Sequence, residues 1–488
     1  MRHPRHSPPR WWLWLGLWTA VGLGIRLETV YSDPHKVAGG DAYFYHYGAN
    51  LLVSGHGFIN PYLYIPHHAH IAVQSASFPP LFIFLVAIPS ALGLKTFLAE
   101  RVWCCILGAG AIVVVGYTGR EIGGRRVGLI AAFLLAIYPN IWMTDELALS
   151  ETIAPALVAG VLFFTYRFWK HPSLGRVAWL GAAMGVAMLG RDELTVLVVF
   201  IVVPIVLLAR ALTWRRRFAT LGLGLLVTAL VVAPWVGYNL SRFDKPVFIS
   251  TGLGVTLASA DCAATYSGTY EGYWSMPCAL HYASEPSVDI HADESVEGAE
   301  LQHLALDYVR AHENRLLPVS LAKLGRAFGF FHPMQQIHLD SYVETRPYRW
   351  AVTGLVSYYV LLALSIGGTV VLRRRRIPSF PLWAVGLQVV FSVLLTFGQT
   401  RYRTTFEVSL VLLAAVQLEW FWSKVRRGTT AGTEVEAAPD HQPDPPGTAE
   451  GPSSEVPGVD RGDGPGEGPD GGPGEGPGTR TGVPAVTT

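Results

Sequence analysis

The sequence predicts an all-α polytopic membrane protein of about ten transmembrane helices, with two long external loops and a disordered C-terminal tail. Three observations carry this expectation. Of 488 residues 50% are hydrophobic and only 15% charged, which is too apolar for a soluble globular enzyme. Apolar runs near the ~20 residues that a bilayer-crossing helix needs recur along the chain. The charge is also unevenly divided. Residues 428–488 hold 15 Gly, 11 Pro and a net charge of −9, which leaves +10 on the first 427. A segment of that composition cannot bury enough surface to fold. Residues 1–427 are therefore expected to form the membrane domain and 428–488 an acidic cytoplasmic tail. Four Cys in the whole chain exclude a disulfide scaffold. The excess of Arg over Lys, 31 to 6, reads as the coding bias of a GC-rich, bacterial genome.

The expected spans are Trp11–Leu27, Val102–Thr118, Val127–Trp142, Thr152–Phe168, Val177–Leu189, Leu194–Ala211, Leu221–Tyr238, Ala351–Leu372, Pro381–Phe397 and Thr405–Trp422. The first is read as an uncleaved anchor, because no small-x-small cleavage site follows Leu27. Cytoplasmic loops are enriched in Lys and Arg. With ten spans and a cytoplasmic N-terminus, six basic clusters fall inside: Arg2/Arg5/Arg10, Arg120/Arg125/Arg126, Arg167/Lys170/Arg176, Arg215 to Arg217, Arg373 to Arg376, and Lys424/Arg426/Arg427. Both termini are then cytoplasmic in a plasma membrane. Leu81–Leu94 is too short to cross and is placed as an interfacial helix on the outer surface. Two loops are long and external, roughly 28–101 and 239–350. Within the second, the amphipathic stretch Leu316–Phe331 is expected on the membrane surface.

Four polar groups gather at the outer rim. Asp41 follows two glycines and opens an aromatic helical stretch; its carboxylate suits a general base, a ligand for a hard divalent cation, or a helix N-cap. Asp145, Glu146 and Glu151 lie between two spans, with Glu151 at the start of an apolar helix. Gly190-Arg191-Asp192-Glu193 is a charged turn whose Arg fork suits phosphate oxygens, or else snorkels to the interface. Arg401 and Arg403, in Gln399-Thr400-Arg401-Tyr402-Arg403, run against the positive-inside trend and suggest an anionic ligand such as a lipid phosphate. The run His67-His68-Ala69-His70, with His35, His46 and His56 nearby, has no standard zinc spacing and reads as a solvated loop. Cys262 and Cys278 share an external loop that permits a disulfide, whereas Cys104 and Cys105 read as packing residues within a span. No nucleotide-binding motif is visible, so no nucleotide cofactor is expected, and no nucleic-acid partner either.

Taken in order, these motifs resemble the C-type superfamily of polytopic glycosyltransferases, and within it the bacterial relatives of the protein O-mannosyltransferases (glycosyltransferase family 39) and the lipid A aminoarabinose transferases. Asp41, Tyr45 and Ala49 match an Asp-Glu-x-x-Tyr-x-x-x-Ala motif, with Ala42 in place of Glu. Gly55-His56-Gly57-Phe58 and Pro79-Pro80-Leu81 continue the similarity, as do Tyr117 to Arg120, Gly123 to Arg126 and Leu149-Ser150-Glu151. Gly190 to Glu193 is similar to a Thr-Arg-Pro-Glu turn. Pro234-Trp235 and Asn239 fit a Pro-Trp-x-x-Arg-Asn motif in which Tyr238 replaces Arg, and Arg401-Tyr402-Arg403 fits a late Arg-Tyr-Arg motif.

The resemblance implies transfer of a sugar from a polyprenyl-phosphate donor to an acceptor on the outer face. It implies catalytic roles for Asp41 and Glu151, with Asp41 as base or metal ligand and Glu151 as a second ligand or acceptor-orienting group. Tyr45, Arg191, Glu193, Arg401 and Arg403 would bind substrate. The cofactor left open is a divalent cation, Mg or Mn. The acceptor is a protein, lipid or polysaccharide hydroxyl that these residues do not name. A transporter or flippase of a lipid-linked or anionic solute is the rival reading, and a scaffold that recruits partners through its tail is a third.

Overall fold

The structure, a computed structural model, describes residues 10–37, 39–65, 72–289 and 292–435, the last nine as backbone alone. His67, His68 and His70, and the tail from residue 436 onward, lie outside the described residues. The described chain is helical, with one isolated antiparallel bridge between Ile59 and Gln74.

Among the described residues five helices are long and apolar enough to cross a bilayer: Phe97–Gly123, Ser150–Lys170, Trp214–Leu240, Tyr348–Arg374 and Thr400–Arg426. A sixth is the pair Arg125–Ile137 and Pro139–Asp145, bent by 59°. The bend falls at Tyr138-Pro139, where proline removes a backbone donor and disfavours helical geometry in the residue before it. The other four expected spans take different forms. Trp11–Ser32 is one 22-residue helix enriched in tryptophan, and Leu174–Gly190 and Phe380–Leu395 have 17 and 16 residues. The stretch expected at Leu194–Ala211 is broken into a 3-10 turn (Asp192–Val196), a π turn (Val198–Val202) and a short α-helix (Val203–Leu207). Pro204 explains the break, because its ring excludes a hydrogen bond to the carbonyl one turn earlier and a widened turn absorbs the clash.

Between apolar helices in lipid, close packing rather than water exclusion supplies the attraction, so small residues mark the seams. Leu174–Gly190 and Trp214–Leu240 meet where Gly181 faces Gly224; a Cβ on Gly181 would stand 2.3 Å from the Gly224 carbonyl oxygen. Beside it the Thr228 hydroxyl donates to the Gly181 carbonyl at 3.0 Å.

Several of the basic clusters gather at one end of the bundle. There the Trp11 indole donates to the Arg125 carbonyl (2.9 Å), Arg120 covers the Trp11 ring, Lys170 pairs with Glu121 and Arg375 with Glu419. The chain turns at 33–40, 145–151, 190–193 and 396–401 form the other end. Pro80–Ala91 is a 12-residue helix packed against Asp41–Val53 at that end, short as expected.

The second long loop, 239–350, is far more ordered than its hydropathy suggests. It contains the helices Leu253–Ala260, Met276–Ala283, Glu294–Ala311, Glu313–Ala327 and Pro333–Val343, and Cys262 is bonded to Cys278. Glu294 ties this loop to the first one. Its carboxylate accepts from Asn60 (3.0 Å), the Ala76 amide (3.0 Å), Ser77 (3.1 Å) and Thr251 (2.9 Å). Cys104 and Cys105 are fully buried packing residues.

Candidate functional site

Asp41 is the first residue of helix Asp41–Val53, and the cap position before it belongs to Gly40, whose φ of +53° turns the chain without a side-chain cap. The carboxylate is therefore not spent as a helix cap. Its Oδ2 instead accepts from Arg401 Nη1 at 2.7 Å. Arg401 comes from a 3-10 turn, Thr400–Arg403, in front of the last helix. Its Nε lies 3.7 Å from Glu151 Oε1 and 3.9 Å from Glu344 Oε1, and it is buried with no hydrogen-bond partner.

Glu151 sits in its own 3-10 turn, Ser150–Thr152, and is buried. Its Oε1 pairs with Arg191 Nη1 at 2.9 Å, while Arg191 also donates to Ser150 Oγ at 3.1 Å and pairs through Nε with Glu193. Burial works against the charge on Arg191, but Glu151 and Glu193 more than offset it and the guanidinium stays ionised. Burial also raises the Glu193 carboxyl, with Arg191 opposing. Tyr45 lies one helical turn after Asp41 and so on the same face. It is packed edge-on against Phe82, with ring centroids 4.7 Å apart. Burial raises its phenol well above the ordinary value and Asp41 adds to the push, so it remains a neutral donor.

Six of the seven sequence-derived site residues thus meet in one cluster: Asp41, Tyr45, Glu151, Arg191, Glu193 and Arg401. Arg403 does not join it; of the two late arginines, only Arg401 stands in the cluster. In a 3-10 turn of three residues per revolution, side chains two apart point about 120° from each other. Arg403 is turned inward, with Nε 2.6 Å from Glu407, Nη1 3.1 Å from the Ala327 carbonyl and its guanidinium 3.7 Å above the Tyr358 ring. It lines a neighbouring cleft with Asn140, Gln336, Asp340 and Arg346.

The other rim acids are also accounted for. Asp145 pairs with the buried Arg26 at 2.6 Å, and Glu146 pairs with Arg101 at 3.0 Å and Lys36 at 3.2 Å. Asp192 accepts from the Ser250 hydroxyl at 2.5 Å. Arg242, one turn beyond Tyr238, covers that ring at 4.5 Å and donates to the Phe58 and Ser75 carbonyls.

Glu344 is the residue that sequence reasoning missed. Its Oε1 accepts from Gln399 at 2.6 Å, and its Oε2 lies 2.5 Å from Arg346 Nε. Burial pushes its carboxyl up to about 7; Asp340 adds to the push, and Arg346 and Arg401 resist it. The available signal was the dense charge of Asp340, Glu344 and Arg346 just ahead of a span.

As metal ligands, Asp41 and Glu151 do not fit as placed. Both face the Arg401 guanidinium rather than a common point, and among the described residues no three His, Cys, Asp or Glu side chains gather to hold an ion. His46 is paired with Glu100 at 2.7 Å and His56 with Tyr64 at 3.0 Å.

A helical bundle with a charged cluster at the end opposite its basic rim is a polytopic membrane architecture with a rim-facing site. Residues 77–238 match the dolichyl-phosphate-mannose-protein mannosyltransferase family. This bears out the resemblance over the segment that holds Pro79-Pro80-Leu81, Leu149-Ser150-Glu151 and Gly190 to Glu193. Among solved structures the chain is similar to the archaeal oligosaccharyltransferase AglB from Archaeoglobus fulgidus, in complex with an inhibitory peptide and a dolichol-phosphate. The identity is 17%, covering 88% of this chain and 52% of that one, with a TM-score of 0.51. The apo form of the Archaeoglobus fulgidus oligosaccharyltransferase matches at 14% identity over 90% of this chain and 53% of that one, TM-score 0.51. ArnT from Cupriavidus metallidurans bound to undecaprenyl phosphate matches more loosely, at 19% identity over 80% and 77%, TM-score 0.40. The chain spans about half the length of the archaeal enzymes, and at these identities the likeness is one of fold. No curated protein matches it.

Proposed function

We propose that this protein is a membrane glycosyltransferase that moves a sugar from a polyprenyl-phosphate donor to an acceptor hydroxyl at the rim holding Asp41. The observation that carries the reading is the cluster around Arg401: three carboxylates from distant segments hold one guanidinium that keeps a buried, unspent Nε donor. The family match and the similar fold of an oligosaccharyltransferase solved with a dolichol-phosphate support it.

In this reading Asp41 is the base. Its side chain is 30% exposed, against 4% for Glu151 and 5% for Glu344, so it faces the open side of the cluster. Asp41 takes the acceptor proton as the acceptor oxygen bonds to the anomeric carbon. The bond from that carbon to the phosphate oxygen breaks, and the electron pair leaves on the polyprenyl phosphate. Arg401 and Arg191 bind that phosphate and offset its growing charge, a contribution of the kind that oriented donors in a water-poor site make largest. Glu151 and Glu193 keep Arg191 extended towards the rim, and Tyr45 stays a neutral hydrogen-bond donor. Ten passes with both termini cytoplasmic complete the proposal, with the Asp41 rim outside and the lipid chain of the donor lying between helices.

The experiment uses purified full-length protein in lipid nanodiscs with a panel of radiolabelled polyprenyl-phosphate sugars and a cell-envelope acceptor extract. Sugar leaving the lipid and appearing on a new acceptor supports the reading. No release from any donor, with movement of labelled lipid between leaflets of a proteoliposome, would replace it with transport.

A further inference from the structure

The second external loop carries an apolar surface that the site does not use. Helix Glu313–Ala327 buries Val319, Ala322, Lys323, Arg326 and Ala327, a stripe at spacings of three and four. Its other face exposes Leu317 (69%) and Leu321 (60%), the turn after it exposes Phe330 (65%), and the start of helix Pro333–Val343 exposes Met334. A charged or polar surface would be the ordinary outcome for a loop in water, and a contiguous apolar patch calls for a partner.

The position of Phe330 says which partner. Its ring stacks on Tyr359 at 5.9 Å between centroids, and the Tyr359 hydroxyl donates to the Gly329 carbonyl at 2.5 Å. Tyr359 lies in the spanning helix Tyr348–Arg374, 11 residues beyond its start. At 1.5 Å per residue that is about 16 Å along the helix. Val356 and Val360, beside it on the same helix, are 57% and 54% exposed. They belong to the outward, lipid-facing surface of a candidate span. Phe330 is therefore level with the apolar band of the bundle.

We infer that residues 316–334 are seated in the bilayer leaflet on the Asp41 side, with Leu317 and Leu321 among acyl-chain ends nearer the headgroups and Phe330 in the hydrocarbon. The expected surface-lying stretch is thus an inserted wedge, and its occupant is lipid. The claim depends on the helical body lying in a membrane and not on the chemistry assigned to the rim.

The wedge also touches the turn that carries Arg401. Gly398 packs so closely on it that a Cβ there would stand 2.2 Å from the Lys323 carbonyl oxygen. Arg403, at the other end of the turn, donates to the Ala327 carbonyl. Lipid packing around the wedge is accordingly felt two and three residues from Arg401.

The test is site-directed spin labelling of the full-length protein in bilayers. Leu317→Cys, Leu321→Cys and Phe330→Cys are compared with Val360→Cys as the lipid reference and Asp307→Cys, on the water-facing side of helix Glu294–Ala311, as the aqueous one. The expected result is oxygen collisions exceeding those of a water-soluble nickel chelate at Phe330, as at Val360, with the order reversed at Asp307. Leu317 and Leu321 fall between, in sequence of depth. Chelate access at Phe330 equal to that at Asp307 overturns the inference. So does protection from both reagents, which means that protein, such as a second copy of this chain, covers the face.

Discussion

Replacing Arg191 by Met tests whether the cluster is built as described. Glu151 is 4% exposed, and its two cations stand at 2.9 Å (Arg191) and 3.7 Å (Arg401). With an effective dielectric of 20, those separations correspond to attractions of about 6 and 4 kcal/mol before desolvation. Losing Arg191 therefore removes somewhat more than half of what holds a buried carboxylate, and strips Glu193 of the same partner. Breaking a buried pair typically costs ~3–5 kcal/mol. Because Arg401 remains, we expect the lower end, about 3 kcal/mol, measured as unfolding free energy in mixed micelles. The double variant Arg191→Met/Glu151→Gln should recover much of the loss, giving a coupling energy of about 2 kcal/mol in a double-mutant cycle. A coupling below about 0.5 kcal/mol would refute the buried pair and with it the placement of Arg191 against Glu151.

Glu344 makes stability depend on pH. Its folded carboxyl sits at about 7, above the ordinary 4.5, so the folded state holds the proton more tightly. That contribution is fully present below about 4.5 and is lost as pH rises through about 7. Unfolding free energy should decline between pH 5 and 8, and Glu344→Gln should flatten the decline. The two late arginines should separate cleanly. Arg401→Lys should lower transfer at least ~100-fold with little loss of stability, whereas Arg403→Lys should lower the unfolding free energy because it breaks the Glu407 and Ala327 contacts in a buried site. Gly181→Ala places a Cβ 2.3 Å from a backbone oxygen, and overpacking of that kind should cost about 1–3 kcal/mol in the same unfolding measurement.

Hydropathy and charge bias made the bundle legible, because length and composition alone decide which helices can cross. They did not reveal where the helices break. Pro139 and Pro204 sit inside runs as apolar as their neighbours, and only their missing donors distinguish them. At the site, Glu151, Arg191 and Arg401 were legible because each lies at a turn between apolar helices, and Asp41 because it opens a helix beyond the first one. Glu344 was not, since it lies in a loop of about 110 residues whose helices bury themselves by tertiary contacts that no simple period announces. The different places of Arg401 and Arg403 were not legible, because two residues of separation look adjacent in sequence yet point apart in a 3-10 turn. The order of loop 239–350 was hidden for the same reason as Glu344: its anchor, Glu294, binds groups more than 200 residues away in the first loop.

Asp41 is proposed to remove the acceptor proton. The deciding measurement is the transfer rate of Asp41→Asn in nanodiscs at saturating donor, with donor binding and unfolding measured on the same sample. Asn keeps the shape and removes the base, and the partly exposed pair with Arg401 (18% and 30%) is worth no more than about 1 kcal/mol. With Asp41 as the base, the transfer rate falls about 10²–10⁴-fold, with donor binding and stability nearly unchanged. A variant that transfers sugar at close to the wild-type rate would contradict it.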